Sequence, residues 1–279
     1  MADQSTEDAL RGLGDSLLQN IPENVTMTLV GGRALDFWIA HYADLYPDEF
    51  DGLAEEAGTI DLDLVLQNKG DAEIVWRNWE PILRATGRRF TFATPTHDHQ
   101  TPEMAVINVH IDGDVYPVAD FLYNILGYNT AAELETVSVQ ASKSPMFRVL
   151  TPEAILRSRV ANILTLPSKR TPEGYEQFHN ACRIMRCAIA ADLEEGDHRS
   201  ALRKHRRVIN LALSKDGRRL CRDEYGLYVA QATVAGHPLW PEEFRTKSWP
   251  RDRMRLADRG CLPPRETRFP VADIECAGP

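Results

Sequence analysis

Two aspartates lie two positions apart in the segment TIDLDLVL, residues 59–66. The segment alternates strictly, which predicts a β-strand, and residues two apart share one face of a strand. Asp61 and Asp63 would therefore lie side by side, with only apolar residues on the opposite face. Aspartate disfavours strands and neighbouring like charges repel, so something must offset that cost. A divalent cation would do so, because Mg²⁺ prefers carboxylate oxygens; an exposed face on which both aspartates meet water is the alternative.

A third acid, Asp120, lies within an apolar stretch that predicts another strand over 114–122. An acid in such a place needs a partner. If this strand lies beside residues 59–66, Asp120 joins Asp61 and Asp63. Three carboxylates fit a two-metal site for phosphoryl chemistry, in which the third acid also takes the proton of an attacking hydroxyl.

A pair of glycines, Gly31 and Gly32, follows a predicted strand over 25–30 and precedes a predicted helix over 33–43. Glycine allows positive φ and a close approach of the backbone to a ligand, and a helix start offers N–H groups to an anion. The segment matches neither the P-loop nor the dinucleotide fingerprint. A tight turn needed only for packing is the alternative interpretation.

The elements that must position these residues form two groups. The front of the chain mixes helices and strands, including a hairpin of 104–111 and 114–122 around Asp112-Gly113, whose return arm carries Pro117 as an indication of a bulge or an edge. Its predicted helices cover 6–20, 33–43 and 71–85, and a short strand covers 90–93.

The back of the chain reads as helical. Thr151 and Pro152 are typical of a helix start, and further helices are predicted over 173–193, 199–213 and 223–235, followed from residue 245 by an Arg-rich and Pro-rich tail without clear pattern. We therefore expect an α+β fold, with a catalytic domain at 1–145 and a helical domain with a basic C-terminal tail at 146–279.

The order of strand, paired glycines and helix, then TxDxD on a strand, then a lone aspartate on a later strand resembles the polymerase-β-like nucleotidyltransferase superfamily. Within it the chain is most similar to the abortive-infection type of nucleotidyltransferase toxin, with its GG-x-AL element, and to the aminoglycoside nucleotidyltransferases. The motifs cover about residues 25–125. A looser similarity extends over 152–156 and 166–184, which resemble the helical domain that follows the catalytic domain.

The resemblance implies a mixed sheet flanked by helices, an NTP substrate and two Mg²⁺ ions. Asp61, Asp63 and Asp120 would bind the metal, with Asp120 as the base. The implied nucleotide-binding residues are Gly31, Gly32, Arg33, Thr59, Lys169 and Arg170. The implied reaction is in-line attack of an acceptor hydroxyl on the α-phosphate of the NTP, with pyrophosphate leaving.

The sequence departs from the pattern in two places. The separation of 29 positions between Gly32 and Asp61 is longer than expected and holds an acidic loop at 44–58. Toxin relatives often carry a Lys in the first helix of the second domain, where this chain has Arg157 and Arg159, which keeps the charge and alters the geometry.

Charge is distributed unevenly along the chain. The first 100 residues hold 18 acids and 7 bases, whereas residues 197–268 hold 17 bases and 9 acids. The basic segments RKHRR (203–207) and KDGRR (215–219) are typical of surfaces that bind RNA phosphates, so the acceptor could be a tRNA end. A small-molecule hydroxyl, a protein hydroxyl and a solvated surface without a partner stay open.

Other features restrict the class of protein. No apolar run approaches the roughly 20 residues of a membrane span, and the N-terminus lacks the pattern of a secretory signal, so we expect a cytoplasmic protein. The cysteines are odd in number and form no CxxC, which argues against a disulfide scaffold and a zinc site and favours free thiols. They are Cys182, Cys187, Cys221, Cys261 and Cys276.

Alternatives from other classes remain. The chain could be a non-catalytic regulatory module on a transferase scaffold, or a metal-dependent nuclease or phosphatase, although the latter gives no reason for the paired glycines. The resemblance to toxins also implies an antitoxin partner. His97-Asp98-His99 reads as a solvated loop, His110 as packed or near the substrate, and Tyr123 and Tyr128 as candidates to stack on a base.

Overall fold

A computed structural model describes residues 4–51, 61–95, 102–142, 144–222 and 225–263 of the 279-residue chain. The chain divides into two compact units: residues 1–41 with 51–158, and residues 42–50 with 159–279. The predicted domain boundary at residue 145 remains a prediction.

The first unit is built on a mixed sheet, which has seven strands within the described ranges. The strands are β1 (Met27–Leu29), β2 (Leu62–Leu66), β3 (Arg89–Ala93), β4 (Glu103–Ile111), β5 (Asp114–Leu122), β6 (Ser138–Gln140) and β7 (Phe147–Leu150). Their spatial order is β3-β4-β5-β2-β1-β7-β6. β2 runs parallel to β5 and antiparallel to β1, and β7 runs parallel to β1.

Helices accompany this sheet in the first unit. They are α1 (Gln4–Leu18), α2 (Gly31–Ala43, which runs into the second unit), α4 (Asp71–Ala85), α5 (Ala131–Thr136) and the first half of α6 (Pro152–Thr165), while α3 (Pro47–Phe50) belongs to the second unit. The core is formed where α4 packs on the sheet: Trp79 is fully buried, lies 6.0 Å from the ring of Phe121 and donates a hydrogen bond to the carbonyl of Asn20. The α+β fold expected from the sequence is therefore present.

The hairpin confirms the turn prediction. Asp112 and Gly113 both have positive φ, at 52° and 93°, as the two-residue turn requires. The register shifts between β4 and β5 opposite Pro117, because Ile107 pairs with Ala119 whereas Asn108 pairs with Pro117. The proline therefore marks a bulge and not an edge, since β5 lies between β4 and β2.

The second unit is helical. It contains the end of α6, α7 (Pro172–Glu194), α8 (His198–Leu213), α9 (Lys215–Arg222) and α10 (Trp249–Asp258), with a 3₁₀ turn at Pro167–Lys169 and a π-helix at Phe244–Ser248. The segment around α3 joins this unit through the Tyr46 hydroxyl, which donates to Glu194 at 2.9 Å. In the described part of the chain, no helix combines the length and apolar character that crossing a membrane requires.

Two predictions about the back of the chain are wrong. The α-helix predicted over 223–235 is absent from the described part of that range, 225–235, which contains a 3₁₀ helix at Val229–Ala232; α9 ends at Arg222, and Gly226 has a positive φ of 59° that a helix does not accept. The segment after residue 245, expected to lack a pattern, contains α10, whose first turn accommodates Pro250 because the first helical N–H groups need no intrahelical acceptor.

Candidate metal and nucleotide site

The pairing of β2 with β5 determines where the three aspartates lie. Asp63 and Asp120 are directly paired in register between these parallel strands. Asp61 directly precedes β2, two residues before Asp63. The predicted alternation holds in part: Leu62, Leu64 and Leu66 are fully buried and Asp63 is half-buried, but Val65, on the face of Asp63, is also buried. The apolar face thus fixes the register, and the opposite face presents the acids.

The three carboxylates converge. One oxygen from each of Asp61, Asp63 and Asp120 can be chosen so that all three lie within 4.8 Å of one another, and all three residues are half-buried. Among the described residues, these three form the one cluster of at least three side chains that could bind a metal ion together. The structure therefore brings together the acids that the sequence singles out.

Repulsion within the cluster appears in the acidity of Asp120. Burial, followed by the charges of Asp63, Asp61 and Glu103, raises the pKa of Asp120 to about 7. A carboxyl with a raised pKa keeps its proton at higher pH. A cation bound beside it would instead stabilise the ionised carboxylate. Glu103 begins β4 opposite Leu122. The sequence predicts the hairpin, but Glu103 lies outside the predicted arm of 104–111, and a second register shift, between Glu103 and Ala105, places it opposite Leu122.

Gly31 lies against this cluster. It has a φ of +65°, and a Cβ at this position would stand 1.7 Å from Oδ2 of Asp63 and 2.8 Å from its Cβ. The N–H of the preceding Val30 donates to the carbonyl of Asp63 at 2.9 Å. Glycine is therefore required both for the backbone conformation and for the space that the Asp63 carboxylate occupies. The start of α2 is thereby held beside the acids.

Two further predicted nucleotide residues have defined neighbours in the first unit, and one lies outside the described ranges. Gly32 is buried in the first turn of α2. The guanidinium of Arg33 pairs with Asp15 of α1 and lies 3.9 Å from Asp36. Thr59 is outside the described residues. The nucleotide contacts of all three remain predictions.

Lys169 and Arg170 belong to the second unit. Lys169 is exposed at the end of the 3₁₀ turn. Arg170 donates to the carbonyls of Ile163 and Leu164, each at 3.0 Å, and so binds the carbonyl end of α6. A phosphate contact by either residue remains a prediction.

The other candidates fall into different surroundings. Nε2 of His110 lies 3.3 Å from Oγ1 of Thr91, and both are half-buried. Tyr123 is exposed, whereas Tyr128 is buried beneath the guanidinium of Arg157, 4.6 Å from its ring centroid. Arg159 is buried and donates to Gln177. His97-Asp98-His99 lies outside the described residues.

The donor set fits a divalent metal. Three carboxylate oxygens from two neighbouring strands are hard ligands of the kind that Mg²⁺ takes, and their separation is within the reach of a shared ion. Burial is the largest cause of the raised pKa of Asp120 and the neighbouring carboxylates add to it, so a cation bound among them would favour the ionised form. Asp61, Asp63 and Asp120 would hold the ions.

Comparison with known proteins gives little beyond the motifs. No protein-family model matches the chain. No curated protein matches it. Among solved structures, the crystal structure of the Megavirus polyadenylate synthase is similar with a TM-score of 0.44 and 15% identity, over 71% of this chain and 36% of that chain. This chain thus spans about a third of the length of that protein.

Proposed function

We propose that this chain is a Mg²⁺-dependent nucleotidyltransferase that moves an NMP from an NTP to an acceptor hydroxyl. The convergence of Asp61, Asp63 and Asp120 within 4.8 Å, directly beside Gly31 at the start of α2, carries the proposal. A nuclease or phosphatase would also use paired acids, but gives no reason for the paired glycines beside them.

Each residue has a distinct task in this proposal. Asp61 and Asp63 hold two Mg²⁺ ions, which when bound neutralise charge on the triphosphate and the leaving pyrophosphate. Asp120 would complete the metal site with them and accept the proton of the acceptor hydroxyl. The start of α2 lies beside these acids, and its first N–H groups would bind the triphosphate.

We propose RNA as the acceptor class. Within the second unit α8 packs against α9 and α10, and many exposed side chains of this region are basic. They include Arg199, Arg203, Arg206, Arg245, Arg253 and Arg259. Such a surface attracts a phosphate backbone. The toxin-type role and an antitoxin partner belong to the same proposal and rest on the GG-x-AL resemblance.

Transfer of label from each α-³²P-NTP, with Mg²⁺ and total RNA, tests the reaction. We expect Asp61→Asn, Asp63→Asn and Asp120→Asn each to lower transfer at least about 100-fold, because each removes a metal ligand or the base. Asp114→Asn is the matched control: it lies on β5 like Asp120 but is exposed at the opposite end of the strand, and it should keep transfer within about twofold. Unchanged transfer in all three site variants would refute the proposal.

The size of the labelled product distinguishes the acceptor classes, with protein extracts and aminoglycosides offered in parallel reactions. A thermal shift, read together with the transfer of label, separates an enzyme from a regulatory module. Mg²⁺ and NTP together should raise the unfolding temperature of an enzyme more than either alone, and the shift should shrink in Asp63→Asn. A module that binds nucleotide without transferring it would give the shift and no labelled product.

A further inference from the structure

Two cysteine sulfurs in the second unit lie in contact. Sγ of Cys221, in the last turn of α9, is 3.5 Å from Sγ of Cys261, three residues after the end of α10, and both thiols are free. The two residues are 40 positions apart, so the contact is a product of the tertiary fold. It plays no part in the nucleotidyl transfer proposed above.

The surrounding backbone holds the two thiols in place. The N–H of Cys261 donates to the carbonyl of Leu256 at 2.8 Å, which fixes the chain as it leaves α10. Arg222 donates to the carbonyl of Arg259 at 3.4 Å, which ties the end of α9 to the same turn. Both contacts link the end of α9 with the turn that follows α10.

The two thiols differ in access. Cys221 is half-buried and Cys261 only 2% exposed. Burial and the neighbouring Cys221 raise the pKa of Cys261 to about 12, while Arg222 and Arg218 act in the opposite direction. A reagent would consequently meet Cys221 first, and Cys261 would react from within the protein.

We propose that Cys221 and Cys261 form an oxidative modification site, at which a low-molecular-weight disulfide such as glutathione disulfide converts the two thiols into an intramolecular disulfide that joins α9 to the end of α10. The two sulfurs lie 3.5 Å apart and must move roughly 1.5 Å closer to form a bond of about 2.05 Å.

The reaction balances as two thiol–disulfide exchanges. The Cys221 thiolate attacks one sulfur of glutathione disulfide, giving a mixed disulfide and one glutathione thiolate, which takes up the proton that Cys221 lost. Cys261 then loses its proton and attacks the Cys221 sulfur, releasing the second glutathione. In total two protein thiols are oxidised and one glutathione disulfide is reduced to two glutathione thiols.

Two other cysteines provide an internal contrast. Cys182 and Cys187 are both buried in α7, so neither offers a partly exposed sulfur of the kind with which Cys221 would meet a reagent. We expect both to remain thiols under conditions that oxidise the Cys221–Cys261 pair. Cys276 lies outside the described residues and enters the test as a competitor.

The full chain, equilibrated in glutathione buffers of graded redox ratio, tests the proposal. After the thiols are blocked with an alkylating reagent, peptide mapping by mass spectrometry should find the Cys221–Cys261 cross-link as the main oxidised species. The oxidised wild type should melt several degrees higher than the reduced form, because the cross-link closes a loop of about 40 residues. Cys276→Ser should behave like the wild type, whereas Cys221→Ser and Cys261→Ser should lose the shift.

Several outcomes would overturn the proposal. They are a persistent mixed disulfide of Cys221 with glutathione, a cross-link that involves Cys276, and oxidation of Cys182 or Cys187 before the pair. Peptide mapping of the wild type alone reports all of them, so the test stands even where a serine variant fails to fold.

Discussion

Asp63 is the residue on which the candidate site depends most directly, because three backbone elements meet at it. Its strand neighbour is Asp120, its carbonyl accepts the N–H of Val30, and its carboxylate occupies the space where a side chain at Gly31 would begin. A strand residue surrounded in this way has little freedom to turn away. The acids are thus held together even though they repel one another, which is the arrangement that a cation stabilises.

Gly31→Ala tests this close approach. The added methyl group would overlap the Asp63 carboxylate in a backbone conformation that L residues avoid, so we expect a loss of about 2–4 kcal/mol of unfolding free energy and the disappearance of the Mg²⁺-dependent thermal shift. Urea unfolding and thermal melts with and without Mg²⁺ measure the two effects.

Gly70→Ala is the control for that substitution. Gly70 precedes α4, has a φ of −71°, and a Cβ there would meet nothing within 4 Å. Its stability should change by less than about 0.5 kcal/mol. If Gly31→Ala resembled Gly70→Ala in both measurements, the contact with Asp63 would have no role in the site.

At the scale of elements, strict patterns were predictable and interrupted ones were not. The alternation of β2, the Asp112-Gly113 turn and the bulge at Pro117 all follow from local sequence, because each has a local physical cause. β6 and β7 are only three and four residues long, and β7 is positioned by its pairing with β1, which no local pattern reveals.

The missed helix α10 shows the same limit. One of its buried positions is Asp252, only 4% exposed, where an apolar residue would have revealed the helical stripe. Asp252 lies 3.8 Å from the fully buried His205, which is itself surrounded by the rings of Trp240, Phe244 and Trp249. Tertiary packing buries this polar pair, so the buried face of α10 does not appear in the sequence as a stripe of apolar residues.

The start of α7 gives a prediction at this scale. A Cβ at Gly174 would stand 2.0 Å from the carbonyl oxygen of Lys169, so the helix and the preceding turn pack backbone to backbone. Gly174→Ala should therefore lower the free energy of unfolding by about 1–3 kcal/mol. Gly12→Ala, in the exposed middle of α1 with nothing within 4 Å, should raise it by up to about 1 kcal/mol. Urea unfolding measures both, and equal signs for the two variants would contradict the packing described for Gly174.

For the whole molecule, charge separates along the chain in the way that the two proposed tasks require. The first 100 residues carry a net charge of −11, whereas residues 197–268 carry +8. The acids that would hold Mg²⁺ lie in the first unit, and the exposed arginines of α8 and α10 lie in the second. A single net charge of −9 for the chain hides both features.

This distribution makes the RNA proposal testable through salt. Binding of labelled RNA should weaken linearly in log–log form as salt increases, with a slope near −0.7 for each phosphate contact to a single strand. A triple variant in which glutamine replaces Arg203, Arg206 and Arg253 should have a slope shallower by about 2, because each arginine would lose one phosphate contact. Lys69→Gln, an exposed base in the first unit, should leave it unchanged.

Because the three arginines lie in a different unit from Asp120, their loss should weaken RNA binding while transfer to a small hydroxyl acceptor persists. A slope near zero that the triple variant does not alter would mean that the exposed arginines serve no polyanion, and would direct the search for the acceptor to small hydroxyl compounds.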